Sequence, residues 1–287
     1  MSIIKVLFYG NCQLGAICKT LNLNSNKYHV TYVECHGNEV KNFSQEYFTE
    51  MIKTMDIVIT QPIRDDYLEK DYLSTTYIIR NCTPDCKVII LPSFYFDLYY
   101  FDCRYYEKIR GPSSYHYINM IDCYKQGISE AYYLRHYVNN PDLKSKEQLE
   151  KILERNLQEL EDRYNDSQKY KIHENVFTIP IRKFIEEKYK DVLLFYTINH
   201  PTLVLIQHVC HEILNILHIE NTMDYWNDFL SNTDRNIMYK CVEQLVNFKQ
   251  PAPLLDSHNA YHHDAKSITE HYYSVYKQLD QNCFEHI

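Results

Sequence analysis

Four short apolar runs, at 3–9, 28–33, 56–61 and 87–91, alternate with stretches of helical periodicity, and this alternation constrains the fold more than any other feature of the chain. Each run is only a few residues long and rich in Ile, Val and aromatic residues, which suits strands rather than helices. The first ends at Gly10, and the last two are closed by Pro62 and Pro92, whose missing N–H cannot continue a ladder. Between them, 14–21 and 43–55 carry helical spacing, the latter at Phe43, Tyr47, Phe48, Met51 and Ile52, while 66–81 reads as helical or irregular. Near-continuous apolar strands separated by helices imply a parallel sheet buried on both faces. Right-handed crossovers put the strand ends on one rim. Gly10-Asn11-Cys12-Gln13, Gln61-Pro62 and Pro92-Ser93 should therefore face one crevice, where open α/β sheets bind ligands.

The expected class is α/β: an open, mostly parallel sheet with flanking helices, Rossmann-like or SGNH-like, over 1–140, and a largely helical region over 141–287 packed with it as one unit. Residues 94–101 form an aromatic loop, Gly111-Pro112 marks a turn, and Ser113 or Ser114 caps a helix running to about residue 125. Further helices are expected at 129–137, 143–164, 180–189 and 202–217. The 143–164 helix is amphipathic through Leu149, Ile152, Leu153, Leu157 and Leu160. The apolar run 192–197 reads as a strand, and the tail 222–285 as mostly helical with a loop at 250–258.

Net charge of −8 over 287 residues argues against a nucleic-acid scaffold, and no apolar run approaches the length of a membrane span. Ten cysteines without a repeating spacing are too sparse for a disulfide-stapled scaffold, and residues 1–8 read as a core strand rather than a signal peptide. A reduced, soluble, cytoplasmic protein is expected. The 28 tyrosines read as amphipathic packing residues.

Two stretches carry candidate chemistry. Cys12 sits at a strand-to-helix turn, where the positive helix end favours thiolate. Asn199-His200-Pro201 places an imidazole at a helix entrance, with Pro201 in the first turn and His200 held out of helical conformation. A thiol and an imidazole from separate parts of a chain can form a nucleophile–base pair. His116 is a second imidazole candidate, against its reading as an exposed helical histidine. No metal is expected: His208 and His211 lack an acidic partner, and Cys82 and Cys86 lack a second pair at zinc-ribbon spacing. The turn Gly10-Asn11-Cys12-Gln13-Leu14-Gly15 lacks the third glycine of a dinucleotide fingerprint, and no Walker A sequence is present. A pyrophosphate could still use helix N-termini with Arg104, Lys108 and Arg110.

With these stretches in hand, the chain resembles the WcbI-like family of polysaccharide-biosynthesis acetyltransferases. The likeness rests on Gly10-Asn11-Cys12-Gln13, Gln61-Pro62, Leu91-Pro92-Ser93-Phe94-Tyr95-Phe96-Asp97, Gly111-Pro112 with Tyr115-His116, and Phe195-Tyr196-Thr197-Ile198-Asn199-His200-Pro201, in that order. Its Tyr-, Asn- and Lys-rich style is similar to that of a giant-virus amino-sugar acetyltransferase domain, which would place it in a host cytoplasm. The resemblance implies acetyl-CoA or CoA as ligand and acetylation of a sugar; the acceptor is expected to be an amine or hydroxyl of a nucleotide-activated sugar. Cys12 is the expected nucleophile with His200 as base, or, in a direct route, His200 or His116 deprotonates the acceptor and Cys12 shapes the pocket. Gly10, Asn11, Gln13, Gln61, Ser93 and Asn199 are the expected ligand contacts. Backbone N–H groups from Asn11 to Gln13 would hold the oxyanion. An SGNH-like, Cys-dependent sugar esterase and a non-catalytic CoA- or glycan-binding module are the alternatives.

Overall fold

The computed structural model describes residues 2–23, 26–106, 114–220, 223–231, 236–249 and 265–279. In chain order the elements are β1 (Ile4–Gly10), α1 (Cys12–Leu21), β2 (Tyr28–Glu34), α2 (Asn38–Lys41), α3 (Gln45–Lys53), β3 (Ile57–Thr60), α4 (Thr75–Asn81), β4 (Lys87–Ile90), β5 (Cys103–Tyr105) and β6 (Tyr115–Tyr117). Then follow α5 (Ile118–Lys125), α6 (Glu130–Tyr133), α7 (Lys146–Gln168), β7 (Val176–Thr178), α8 (Arg182–Lys188), α9 (Leu203–Leu217) and α10 (Ala265–Tyr276). Lys108, Arg110, the Gly111-Pro112 turn, Ser113 and the 250–258 loop lie outside the described residues. Among the described residues, no helix is long and apolar enough to cross a membrane.

The chain divides into two units, the first comprising Met1–Phe94, Gln158–Ile185 and Pro201–Leu230. Its sheet has five parallel strands in the order β2-β1-β3-β4-β7. The order reverses between β1 and β3, so the topological switch point lies between Gly10 and Thr60. Register aligns the ends: Tyr9 pairs with Thr60, Thr60 with Ile90, and Ile90 with Thr178. Alternation along the strands sends Leu7, Tyr9, Val58, Val88 and Ile90 to one face, against Phe48 and Ile52 of α3 and Ile78 and Ile79 of α4. Phe48 packs its ring 5.3 Å from that of Tyr9. Val6, Phe8, Ile59 and Ile89 are also fully or almost fully buried, as expected of a parallel sheet covered on both sides. Ser44 and Ser74 cap α3 and α4 by accepting the Tyr47 and Tyr77 N–H groups. Asn22, in left-handed conformation (φ 44°), ends α1. β7 was not foreseen: three residues before Pro180 are too short to show a period.

The second unit takes Tyr95–Leu157, Glu186–His200 and Ser231–Ile287. Here the expected helix start at Ser114 is instead the antiparallel hairpin β5–β6, which pairs Cys103 with Tyr117 and Tyr105 with Tyr115. The helix begins only at Ile118, because Asp102 caps it from outside: its carbonyl accepts the Ile118 N–H at 3.1 Å and its carboxylate the Asn119 N–H at 3.2 Å. Residues 192–197 do not form a strand of the sheet. Their carbonyls and neighbouring groups are satisfied by tyrosine hydroxyls, with Tyr100 donating to the Phe195 carbonyl at 2.9 Å and Tyr99 to the Tyr189 carbonyl at 2.8 Å. Of the tail read as mostly helical, the described residues give one α-helix, α10, and a 3₁₀ turn at Lys240–Gln244.

Asp102 also accepts a hydrogen bond from the buried Tyr239 hydroxyl, which lies 2.7 Å from that of Tyr133. Burial pushes the Asp102 carboxyl up to about 6, against the Tyr239 and Asn119 hydrogen bonds that pull it down. An unfolded-chain carboxyl titrates at about 3.9, so the folded state holds the proton more tightly. The stability this group contributes is full below about pH 4 and lost as pH rises through about 6. Between about pH 4 and pH 7, wild type should therefore lose up to about 3 kcal/mol relative to Asp102→Asn, measured by urea denaturation of both proteins at each pH.

Candidate active site

The switch-point turn in the first unit is built from side-chain amides. Asn11 is the N-cap of α1, and its Oδ1 accepts the Gln13 N–H at 2.9 Å. The Asn11 N–H donates to Gln61 Oε1 at 2.8 Å. Gln61 Nε2 donates to Gln13 Oε1 at 3.3 Å and to Ser93 Oγ at 3.2 Å. Gln13 grips both backbone groups of Phe94, receiving its N–H at 3.0 Å and donating to its carbonyl at 2.9 Å. The ends of β1, β3 and β4 are thus joined by one network, whose two glutamines are 2 % and 3 % exposed. Thr75 supports it from α4, donating to the Gln61 carbonyl at 2.8 Å and accepting the Ile63 N–H at 2.8 Å.

Two glycines make room for this packing. A Cβ on Gly10 would lie 2.6 Å from Gln61 Oε1 and 2.9 Å from Leu14 Cδ2. One on Gly15 would lie 2.9 Å from the Tyr32 ring, whose hydroxyl donates to the Asn11 carbonyl at 3.2 Å.

Cys12 is the first residue of α1 and is half-buried at this turn. Burial pushes its thiol up, and the negative charge of Glu34 adds to that. The backbone N–H groups of Gln13 and Cys12 pull it down without prevailing. The helix-end effect expected from the sequence is present, and desolvation outweighs it. The expected oxyanion donors also have partners: the Asn11 N–H is held by Gln61 and the Gln13 N–H by Asn11.

In the second unit, Asn199 and His200 are half-buried. Asn199 Oδ1 accepts the Tyr115 hydroxyl and, at 3.1 Å, the Thr197 hydroxyl. The His200 N–H donates to Thr197 Oγ1 at 3.1 Å, and the His200 carbonyl accepts the Tyr196 N–H at 2.8 Å. Its ring stands edge-on to Tyr115 at 5.8 Å. Pro201 precedes the N-cap Thr202 instead of lying in the first turn of α9. His116, the next residue along β6 from Tyr115, points to the opposite face. It is fully buried, not exposed on a helix, with Nδ1 3.0 Å from the Tyr276 hydroxyl and its ring stacked on that tyrosine. Arg104 donates to the Phe101 and Cys103 carbonyls at 3.0 and 2.7 Å and lies 3.7 Å from Asp97. Thr197 and the backbone of Phe94 were missed from sequence. A threonine two residues before Asn199 is a turn signal that could have disclosed the first; nothing local discloses the second.

His208 stacks on Phe184 at 3.9 Å, and among the described residues no three His, Cys, Asp or Glu side chains are grouped to hold a metal ion.

A parallel sheet of this order, with helices packed on it and a polar, cysteine-bearing turn at its switch point, defines an open α/β fold. Residues 5–222 match the sequence model of the family described as polysaccharide biosynthesis enzyme WcbI, and the chain belongs to that family. A search of the curated proteins finds no match. Among solved structures, the chain is similar to one described as structural insights into WcbI, a novel polysaccharide biosynthesis enzyme, in its native form without a disulfide bond between coenzyme A and a cysteine. The TM-score is 0.71 at 19% identity, over 87% of this chain and 82% of that one, a likeness of fold.

The saturated amide network leaves Gln61 little room to retreat. Gly10→Ala should destabilise the protein by about 1–3 kcal/mol, read from the urea midpoint, and should speed alkylation of Cys12 by loosening its turn.

Proposed function

We propose that the chain transfers an acetyl group from acetyl-CoA to an amine or hydroxyl of a sugar during polysaccharide biosynthesis, with Cys12 as nucleophile and His200 as base. The observation that carries this reading is the place of Cys12: half-buried, on the first turn of α1, at the switch point of the sheet. Membership of a polysaccharide-biosynthesis enzyme family supports a sugar acceptor. The solved WcbI structure, described with reference to coenzyme A and a cysteine, supports the donor.

Because burial keeps the Cys12 thiol protonated, attack on the thioester requires a base to take its proton. His200 suits that role: its backbone is pinned by Thr197 and Tyr196, and the residue is half-buried where His116 is fully buried. In the covalent route the Cys12 sulfur forms a bond to the acetyl carbon and CoA leaves as its thiol. The acceptor then displaces Cys12, losing its proton to the base. We assign Asn11, Gln13, Gln61 and Ser93 to holding the turn in shape, since their polar groups are engaged with one another, and Gly10 to leaving room for Gln61. Asn199 is assigned to ligand contact, and His116, sealed among tyrosines, to packing.

Intact-mass spectrometry after brief exposure to acetyl-CoA should show one acetyl adduct, mapped to Cys12. Cys12→Ala should abolish the adduct and lower transfer by at least about a thousand-fold, and His200→Ala should lower it by roughly 10²–10⁴-fold. Near-normal transfer by Cys12→Ala would end the covalent route. Acetate release from a sugar ester without CoA would select an esterase, and CoA binding without turnover a binding module.

A further inference from the structure

A second pair of thiols lies at the far end of α4 from Thr75, apart from the chemistry assigned to Cys12. Cys82 follows α4 in extended backbone (φ −62°, ψ 157°), and Cys86 immediately precedes β4. The intervening Thr83-Pro84-Asp85 turn is closed by the Cys86 N–H on the Thr83 carbonyl at 3.0 Å. Asn175 holds the turn in place, its Nδ2 donating to the Pro84 carbonyl at 2.9 Å. The Cys86 thiol donates to the Lys87 carbonyl at 3.8 Å, and Cys82 is the neighbour it interacts with across the turn. Both line one cavity of about 540 Å³, together with Arg80, His173 and Asn175. Cys82 is half-buried and Cys86 is 3% exposed.

This is an asymmetric pair. Interaction with Cys86 pulls the Cys82 thiol down, while the same interaction and burial push Cys86 up. The other described cysteines are all pushed up, with burial the largest cause. One sulfur is thus accessible and disposed to be thiolate. The other is sheltered and held as thiol by the Lys87 carbonyl, which is the arrangement of an attacking and a resolving cysteine.

We propose that Cys82 and Cys86 form a thiol–disulfide exchange site that reacts with small disulfides of the glutathione class through the cavity beside α4. The Cys82 thiolate attacks one sulfur of the small disulfide, forming a mixed disulfide and releasing the first small thiolate, which takes up a proton from solvent. Cys86 then gives up its proton and its sulfur attacks Cys82, closing the Cys82–Cys86 disulfide and releasing the second small thiol. The protein dithiol is oxidised by two electrons and the small disulfide is reduced to two thiols. Arg80 on the cavity wall suits a carboxylate of glutathione, and Glu174 on the same wall suits its ammonium group.

The test is to equilibrate the full chain in buffers of graded reduced-to-oxidised glutathione ratio, quench in acid, alkylate, digest and map by mass spectrometry. The peptide holding Cys82 and Cys86 should lose two hydrogens reversibly, before the peptides of the buried Cys103 and Cys210 change. Cys86→Ser should stop at a glutathione adduct on Cys82. Should that variant fail to fold, wild type quenched early should carry the adduct on Cys82 and not on Cys86. A dithiol that persists at every ratio, a disulfide that links either cysteine to another partner, or a first adduct on Cys86 would each overturn the proposal.

Discussion

The carboxamide of Gln61 is the interaction on which the rest of the rim depends. Strands of a parallel sheet end with unpaired backbone groups, and three of them end here, at Gly10-Asn11, Gln61-Pro62 and Pro92-Ser93. Gln61 supplies the missing links, taking the Asn11 N–H and reaching Gln13 and Ser93. Each such bond contributes about 0.5–1.5 kcal/mol net, but removing the shared amide would strand several buried groups at about 1–3 kcal/mol each. That asymmetry makes the network a single element, and Cys12 inherits its position from it.

The chemistry of Cys12 follows from a competition that geometry decides. A helix N-terminus and its N–H groups draw a thiol toward thiolate, while removal from water and the charge of Glu34 push it back. Burial prevails, so the turn holds a protonated sulfur in a fixed place. Cys82 shows the opposite outcome at comparable depth, because its interaction with the neighbouring Cys86 outweighs burial. Among the described cysteines a specific neighbour, more than proximity to a helix end, determines which is disposed to ionise.

The α/β sheet could be read from sequence because its first four strands are short runs rich in apolar and β-branched residues, three of them cut off by Gly or Pro. The fifth, Val176–Thr178, is too short to show a pattern, and the hairpin strands Cys103–Tyr105 and Tyr115–Tyr117 are equally short. The run at 192–197 looks like a strand because apolar burial is common to strands and packed loops; the hydroxyls of Tyr99 and Tyr100 that replace a ladder lie about ninety residues away. The same distance in sequence hid the work of Gln13. Its partner Phe94 is 81 residues on, and only the folded chain shows the amide gripping both backbone groups of that residue. The fully buried state of His116 and the half-buried one of His200 likewise follow from packing, since both are single histidines beside aromatic residues.

The side chains that fix the crevice are amides and hydroxyls: Asn11, Gln13, Gln61, Ser93 and Thr75. None of them gains or loses a proton in the range where proteins stay folded. The scaffold around Cys12 is therefore electrically constant, and it keeps one shape while groups beside it change their charge. Acidity and ionic strength can alter the reacting partners there without loosening the frame that aligns them.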